Sequence, residues 1–285
     1  MKTFYFLIYS AIIFSLYSIF SSVVHSMQVE HGYNSIQNIP QPTLEKLSRK
    51  KIYFAHHSVG ENILQGVDEL LKENPNIKLN IVASNNAKKN IAAPALVHDS
   101  AGKNFYPYSK LESFKEKIEN GYGQTANIAF FKFCFVDFNP NTDIDALFQS
   151  YKITLDTLKE EYPDTTFVVI TVPLTCYAPG LSGLEKRIKD LSKKIIGKIN
   201  IYDHSSANRF NELLIKEYQG KLPIFDLARF ESTKPDGSRI GYQKDGIQYF
   251  ELAKEYTTDG GHLNEKGRRR IAEQFLLFLS DLADR

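Results

Sequence analysis

The sequence predicts a three-layer α/β/α sandwich built around a mostly parallel sheet of about five strands. Short apolar runs alternate with helical patterns through the body of the chain, as a parallel sheet with crossover helices requires. The longest run, residues 127–137, is almost continuously apolar, which is typical of a central strand covered on both faces. The composition is that of an ordinary globular chain of 285 residues, with 42% hydrophobic and 24% charged residues.

The first 27 residues differ from the rest. The stretch from Phe4 to Val24 carries no charge, and small residues follow it near Ser26. We predict an export segment over 1–27, which is either a signal peptide or an uncleaved membrane anchor, because the apolar run is long enough to cross a bilayer. Residues 28–45 are predicted to be a linker and residues 46–285 a single domain, so the protein is expected to be secreted or periplasmic.

The domain begins with a short buried strand that leads directly into a helix. Residues Ile52 to Ala55 form the apolar run, and Ser58 lies at the junction. The helix is indicated by apolar residues at helical spacing, namely Ile63, Val67, Leu70 and Leu71. Ser58 has two interpretations at this point: a nucleophile at the carboxyl end of a strand, or a helix N-cap.

The later elements follow in alternation. An alternating strand at 77–82 precedes a segment from Ala83 to Tyr108 with little periodicity, and segments of that length are usually functional. Lys132 interrupts the long apolar run and needs a carboxylate partner such as Asp137, or a route outward. The remaining predicted elements are helices at 111–118, 143–162, 184–195 and 206–218 and strands at 166–173 and 222–228.

A hairpin is predicted between Arg229 and Tyr256. Asp245-Gly246 is flanked by aromatic and apolar residues, which is a strong hairpin signal. Because this segment leads toward residues 256–267, it can form one wall of a substrate site, with Tyr249 contacting substrate. A surface hairpin unrelated to substrate is the alternative.

Asp259 and His262 lie three residues apart just before the last predicted helix. A serine nucleophile needs a base to take its proton, and the base needs an acid that fixes its tautomer. Ser58, His262 and Asp259 supply these three roles, so we predict a catalytic triad.

These two blocks resemble the first and last blocks of the SGNH/GDSL hydrolases, over residues 48–285. The block DGGHLN followed by Gly267 is fairly specific, whereas HHSVG replaces the usual GDS. The resemblance implies a flavodoxin-like fold and hydrolysis of esters of small acyl groups, often acetyl groups on carbohydrate, without a cofactor. The family's third block, Gly-x-Asn, is missing, since Cys134-Phe135-Val136 precedes Asp137.

The resemblance also implies an oxyanion hole. Its donors are expected to be the N–H groups of Ser58 and Gly102, and Asn104 is the first choice to replace the missing asparagine. Gly102 and Asn104 can equally be plain turn residues. Of the two histidines before Ser58, one is expected to pack in the core and the other, His57, to line the substrate pocket.

Other functions remain open. The same triad can serve an O-acyltransferase, and a degenerate hydrolase fold can serve as an exported binding module. A metallohydrolase could take its metal ligands from four histidines, namely His56, His57, His98 and His262. We nevertheless expect no metal.

The expected partner is a small-molecule or carbohydrate ester. The formal charge of +2 gives no indication of nucleic-acid binding, and membrane contact is expected only through an uncleaved export segment. The two cysteines, Cys134 and Cys176, can form a disulfide in an exported protein or remain free.

Overall fold

The computed structural model describes residues 32–84, 90–139, 141–176 and 205–285. The predicted export segment and the predicted helix at 184–195 lie outside these residues. Among the helices within the described ranges, none combines the length and the apolar character that a membrane span needs.

The strands and helices are numbered along the chain. The strands are β1 Lys51–His56, β2 Ile81–Ala83, β3 Ala95–Ser100, β4 Ile128–Phe131, β5 Thr166–Phe167, β6 Val169–Ile170, β7 Ile224–Phe225, β8 Gly241–Lys244 and β9 Ile247–Phe250. The helices are α1 Gln41–Ser48, α2 Val59–Glu73, α3 Pro107–Lys117, α4 Gly123–Thr125, α5 Ile144–Glu161, α6 Ser205–Tyr218, α7 Leu227–Ser232 and α8 Glu265–Asp284.

Five strands form one parallel sheet in the order β2-β3-β1-β4-β5. β6 pairs with β7, also in parallel. Only Val168 separates β5 from β6, and its N–H donates to the carbonyl of Ala129 at 3.1 Å, so one chain segment links both sheets. The predicted α/β class and parallel sheet are confirmed.

Side chains on β1 alternate between two cores, as the pleat requires. Ile52 and Phe54 pack into the core shared with α1, α2, α7 and α8. Tyr53 and Ala55 pack into the opposite core with α3, α5 and α6. Helices therefore cover both faces of the sheet at β1, as the predicted three-layer sandwich requires.

The last helix, α8, docks along α2. Gly66 permits the close approach, because a Cβ there would lie 2.5 Å from the carbonyl oxygen of Arg268. The guanidinium of Arg268 also reaches Glu69 on α2 at 2.7 Å. The two helices that flank the predicted site residues are thus fixed to each other.

Part of the predicted linker is folded. Four apolar residues between 36 and 47 are buried in the core shared with α8: Ile36, Ile39, Leu44 and Leu47. Lys46 on α1 also pairs with Asp284 at 2.8 Å. The domain therefore begins before residue 46, at least from Ile36 onward.

Three other elements differ from their predictions. The segment 83–108, predicted without periodicity, contains β3, which pairs with β1 through residues 95–100. The apolar run at 127–137 is a strand only to Phe131 and then turns into a 3-10 helix, Phe135–Asp137. The predicted strand at 222–228 ends early, because the Asp226 side chain accepts from the Arg229 N–H and starts α7.

The predicted hairpin is present as β8 and β9. Asp245 and Gly246 both have positive φ, of 54° and 79°, as a type I′ turn requires. Cys134 and Cys176 are both buried and free, so the two thiols do not form the disulfide that the sequence left open.

Candidate active site

Ser58 occupies a strained turn between β1 and α2. Its φ of 54° lies in the left-handed region, which is uncommon for a serine. The side chain makes no capping hydrogen bond to α2. Instead, its Oγ lies 2.5 Å from Nε2 of His262. The hydroxyl is thus turned away from the helix and toward the histidine.

The two carboxylate oxygens of Asp259 have different hydrogen-bond partners. Oδ2 lies 2.7 Å from Nδ1 of His262. Oδ1 accepts from the backbone N–H groups of His262 and Gly261, at 2.8 and 3.0 Å. One oxygen therefore orients the imidazole, while the other shapes the loop that carries it.

The Asp259 carboxyl is held in its ionised form. Burial by itself would raise the pKa of this carboxyl, but the hydrogen bonds from His262 and Gly261 outweigh it and lower the pKa below its usual range. A carboxylate can only accept, so Nδ1 of His262 carries the proton and the lone pair of Nε2 faces the Ser58 hydroxyl. This is the tautomer that a general base needs.

The loop with Asp259 and His262 is tied to α2 and α8. Asn62 on α2 accepts from the backbone N–H of Leu263 at 3.2 Å. Asn264 caps α8 by accepting from the N–H of Gly267 at 2.9 Å. The loop that carries Asp259 and His262 is thus anchored on the helix that follows Ser58.

Phe135 is a site residue that sequence reasoning missed. Its ring meets the His262 imidazole edge-on, with 5.7 Å between centroids. Gly261 makes room for this ring, since a Cβ there would lie 2.7 Å from it. Phe135 stands where the third block departs from Gly-x-Asn, and that departure was the available signal.

His57 joins the Ser58 turn to the loop after β3. Its Nε2 lies 3.0 Å from the carbonyl oxygen of Gly102, which can only accept, so Nε2 carries a proton. Burial lowers the pKa of His57, partly offset by its hydrogen bond to Gly102. His56 and Ser100 are aligned across β1 and β3, so Ser58 and Gly102 each follow two residues after that pair.

A buried ion pair fixes the loop that contains Asn104. Lys110 Nζ lies 2.6 Å from Asp137 Oδ2, and both side chains are fully buried. Asp137 also accepts from the N–H groups of Cys134 and Phe105, at 2.7 and 2.9 Å. The Oδ1 atom of Asn104 accepts a hydrogen bond from the Lys110 ammonium at 2.8 Å. Because an ammonium can only donate, the amide oxygen faces Lys110 and the NH₂ group of Asn104 does not.

Lys132 does not pair with Asp137, contrary to one sequence expectation. Its ammonium donates to the Phe133 carbonyl at 3.0 Å and lies 3.6 Å from the Cys134 sulfur. Burial lowers the pKa of Lys132. The carboxylate of Asp137 pairs with Lys110 instead, because α3 places the Lys110 ammonium near the end of β4.

Tyr249, predicted to contact substrate, lies half-buried on β9, and its ring stacks on Tyr242 with 5.5 Å between centroids. Its contact with substrate stays a prediction. Of the histidines considered for a metal, His262 contacts Ser58 and Asp259. His56 and His98 lie together, with 3.0 Å between two ring nitrogens.

No known protein-family model and no curated protein matches this chain. Among solved structures, a candidate platelet activating factor from Streptococcus pneumonia is 11% identical in sequence to this chain, with a TM-score of 0.48. The match covers 92% of this chain and 99% of that chain.

Two further structures are similarly distant. The periplasmic domain of a lipopolysaccharide acetyltransferase from Salmonella ser. Paratyphi A is 11% identical, with a TM-score of 0.41, covering 79% of this chain and 81% of its own. An acetyl esterase mutant is 13% identical, with a TM-score of 0.44, covering 82% and 99%. At these identities and TM-scores the similarity gives no information about function.

Proposed function

We propose that this protein is a serine hydrolase of esters, with Ser58 as nucleophile, His262 as base and Asp259 as the acid that orients the base. One observation carries the proposal: the Ser58 hydroxyl lies 2.5 Å from His262 Nε2, and Nδ1 of the same ring lies 2.7 Å from Asp259. These separations are within the reach that proton transfer requires.

In the first half of the reaction, Ser58 Oγ forms a bond to the carbonyl carbon of the ester while His262 Nε2 takes the hydroxyl proton. The imidazolium that results is stabilised by Asp259. The tetrahedral intermediate then expels the alcohol, which receives the proton from His262, and an acyl group remains on Ser58.

In the second half, a water molecule attacks the acyl carbon. His262 takes a proton from this water and returns it to Ser58 Oγ as the acid leaves. The same base therefore serves both halves, and no cofactor is required.

The proposed oxyanion hole consists of the N–H groups of Ser58 and Gly102 together with the NH₂ group of Asn104. One support is the register of β1 and β3, because both strands end at the same edge of the sheet. The other is Lys110, which donates to the amide oxygen of Asn104 and leaves its NH₂ group for the oxyanion. One such donor is worth about 3 kcal/mol in the transition state. Asn104 would thus replace the asparagine that the third block lacks.

The proposed substrates are esters of small acyl groups, including acetyl esters of carbohydrate, bound with the help of His57 and Tyr249. The proposed location is outside the cytoplasm, supported by the apolar stretch from Phe4 to Val24.

The test is hydrolysis of p-nitrophenyl acetate by wild type and by Ser58→Ala, with Ser150→Ala as a control at a serine on α5 whose hydroxyl donates to the Ala146 carbonyl of the same helix. We expect turnover by wild type and by the control but not by Ser58→Ala, and an organophosphonate adduct on Ser58. Activity that survives in Ser58→Ala but falls with a chelator would indicate a metallohydrolase instead. No turnover and no adduct would favour a binding module.

A further inference from the structure

Three potential metal ligands lie beside the Ser58 turn but outside the triad. His56 is the last residue of β1, His98 belongs to β3, and Glu61 is in the first turn of α2. One ligand atom from each lies within 4.8 Å of the other two. We propose that these three side chains bind a divalent transition-metal ion, Zn²⁺ being the ion that suits the donors best.

The donor types favour zinc. Two imidazole nitrogens and one carboxylate oxygen are a common zinc ligand set, whereas Mg²⁺ and Ca²⁺ prefer oxygen ligands alone. Zn–N bonds of about 2.0–2.1 Å at tetrahedral angles place two ligating nitrogens about 3.3 Å apart. His56 Nε2 and His98 Nδ1 are 3.0 Å apart, so small rotations of the rings would admit the ion.

The two rings already lie in a suitable arrangement. The Nε2 atom of His56 and the Nδ1 atom of His98 face each other, and neutral imidazole nitrogens are common metal ligands. Glu61 is exposed and His98 is half-buried, so the Glu61 carboxylate can reach the two rings from the solvent side.

A hydrogen bond between the rings is the competing explanation of the short contact. In that case one ring donates and the other accepts, which by itself accounts for 3.0 Å. It does not explain why Glu61 lies on the same side, and Nδ1 of His56 has no partner among the described residues in either case. The two explanations differ in whether the protein takes up metal.

A bound ion would have a structural consequence. It would join the carboxyl ends of β1 and β3 to the first turn of α2, across the left-handed turn at Ser58. We therefore expect Zn²⁺ to raise the melting temperature, because an ion that binds only the folded chain stabilises it.

The test is zinc binding by the purified full-length protein after removal of metal with a chelator. Calorimetry should detect the site in wild type, and Co²⁺ should give the visible absorption of a tetrahedral complex. His98→Asn should abolish both signals. Glu61→Gln, at an exposed position, should weaken binding by more than the ~10–100-fold that outer-shell changes cost.

Asp68→Asn is the matched control, because Asp68 is another exposed carboxylate on α2 and it pairs with Lys72. Zinc binding that is equal in wild type, Glu61→Gln and His98→Asn would overturn the proposal, and so would no binding at all. Circular dichroism shows whether His98→Asn is folded, and Glu61→Gln keeps the proposal testable if it is not.

Experiments can refute the metal site and the proposed hydrolase activity independently of each other. Ser58→Ala should bind Zn²⁺ like wild type, because its hydroxyl is not a ligand. Removal of metal should leave the triad geometry and p-nitrophenyl acetate hydrolysis largely intact at temperatures well below unfolding.

Discussion

Replacement of Asp259 by asparagine tests the triad most sharply, because the structure separates the two oxygens of this side chain. The amide oxygen of asparagine can still accept from the N–H groups of His262 and Gly261, so the loop should keep its shape. The NH₂ group, however, would replace the oxygen that faces Nδ1 of His262. It can only donate, so it would favour the tautomer with the proton on Nε2, which cannot accept from Ser58.

The magnitude follows from the 2.7 Å separation of Asp259 Oδ2 and His262 Nδ1. At an effective dielectric constant of about 20, a carboxylate and an imidazolium at that distance attract by roughly 6 kcal/mol. The His262 side chain is 41% exposed, so solvent screens part of this attraction. A loss of about 4–5 kcal/mol corresponds to a fall in kcat of about 10³–10⁴-fold, which agrees with the effect of the same change in serine proteases.

The assay is the kcat for p-nitrophenyl acetate, measured beside Asp245→Asn, a control at the exposed tip of the hairpin. The melting temperature of Asp259→Asn should stay close to that of wild type, because the backbone contacts of the loop remain. A fall in kcat of less than tenfold in a folded variant would refute the role given to Asp259.

The remaining predictions concern Phe135, the buried Lys110–Asp137 pair and the buried Glu231. Phe135→Leu removes the ring beside His262, the proposed base, so kcat should fall by about tenfold with little change in KM. An unchanged kcat would mean that the ring only packs. Lys110→Met leaves the carboxylate of Asp137 buried without its cation, so urea unfolding should show a loss of about 3–5 kcal/mol in the free energy of unfolding. The loss should be less than about 0.5 kcal/mol for Lys115→Met, because the Lys115 side chain is 45% exposed. Burial raises the pKa of Glu231 from 4.5 to about 8, so the stability contributed by its neutral form is present below pH 4.5 and lost as pH rises through 8. The free energy of unfolding of wild type should therefore fall relative to Glu231→Gln between pH 5 and 8, and a constant difference between the two would contradict the raised pKa.

The residues of the proposed triad could be selected from the sequence because such chemistry requires particular residue types in particular places. A serine after a buried strand, and Asp259 three residues before His262, are visible without any knowledge of the fold. The sequence could not show that the Ser58 hydroxyl turns away from α2, because the choice between cap and nucleophile depends on one backbone torsion and on the position of a residue 204 positions away.

Other features gave weak signals for physical reasons. β3 escaped prediction because only Ala95, Leu96 and Val97 are buried, while its second half is polar and is held by backbone pairing. Lys110 looks like any surface lysine of a helix, since its burial depends on the carboxylate of Asp137 beyond β4. Phe135 was hidden because one aromatic residue within an apolar run resembles its neighbours.

The docking of α8 along α2 bears on how the proposed site assembles during synthesis. Ser58 leaves the ribosome 204 residues before His262, and α8, whose N-terminus follows the loop of His262, is made later still. The contact between Ser58 and His262 is therefore absent from any polypeptide that stops before residue 262, and such a polypeptide lacks the base of the proposed mechanism.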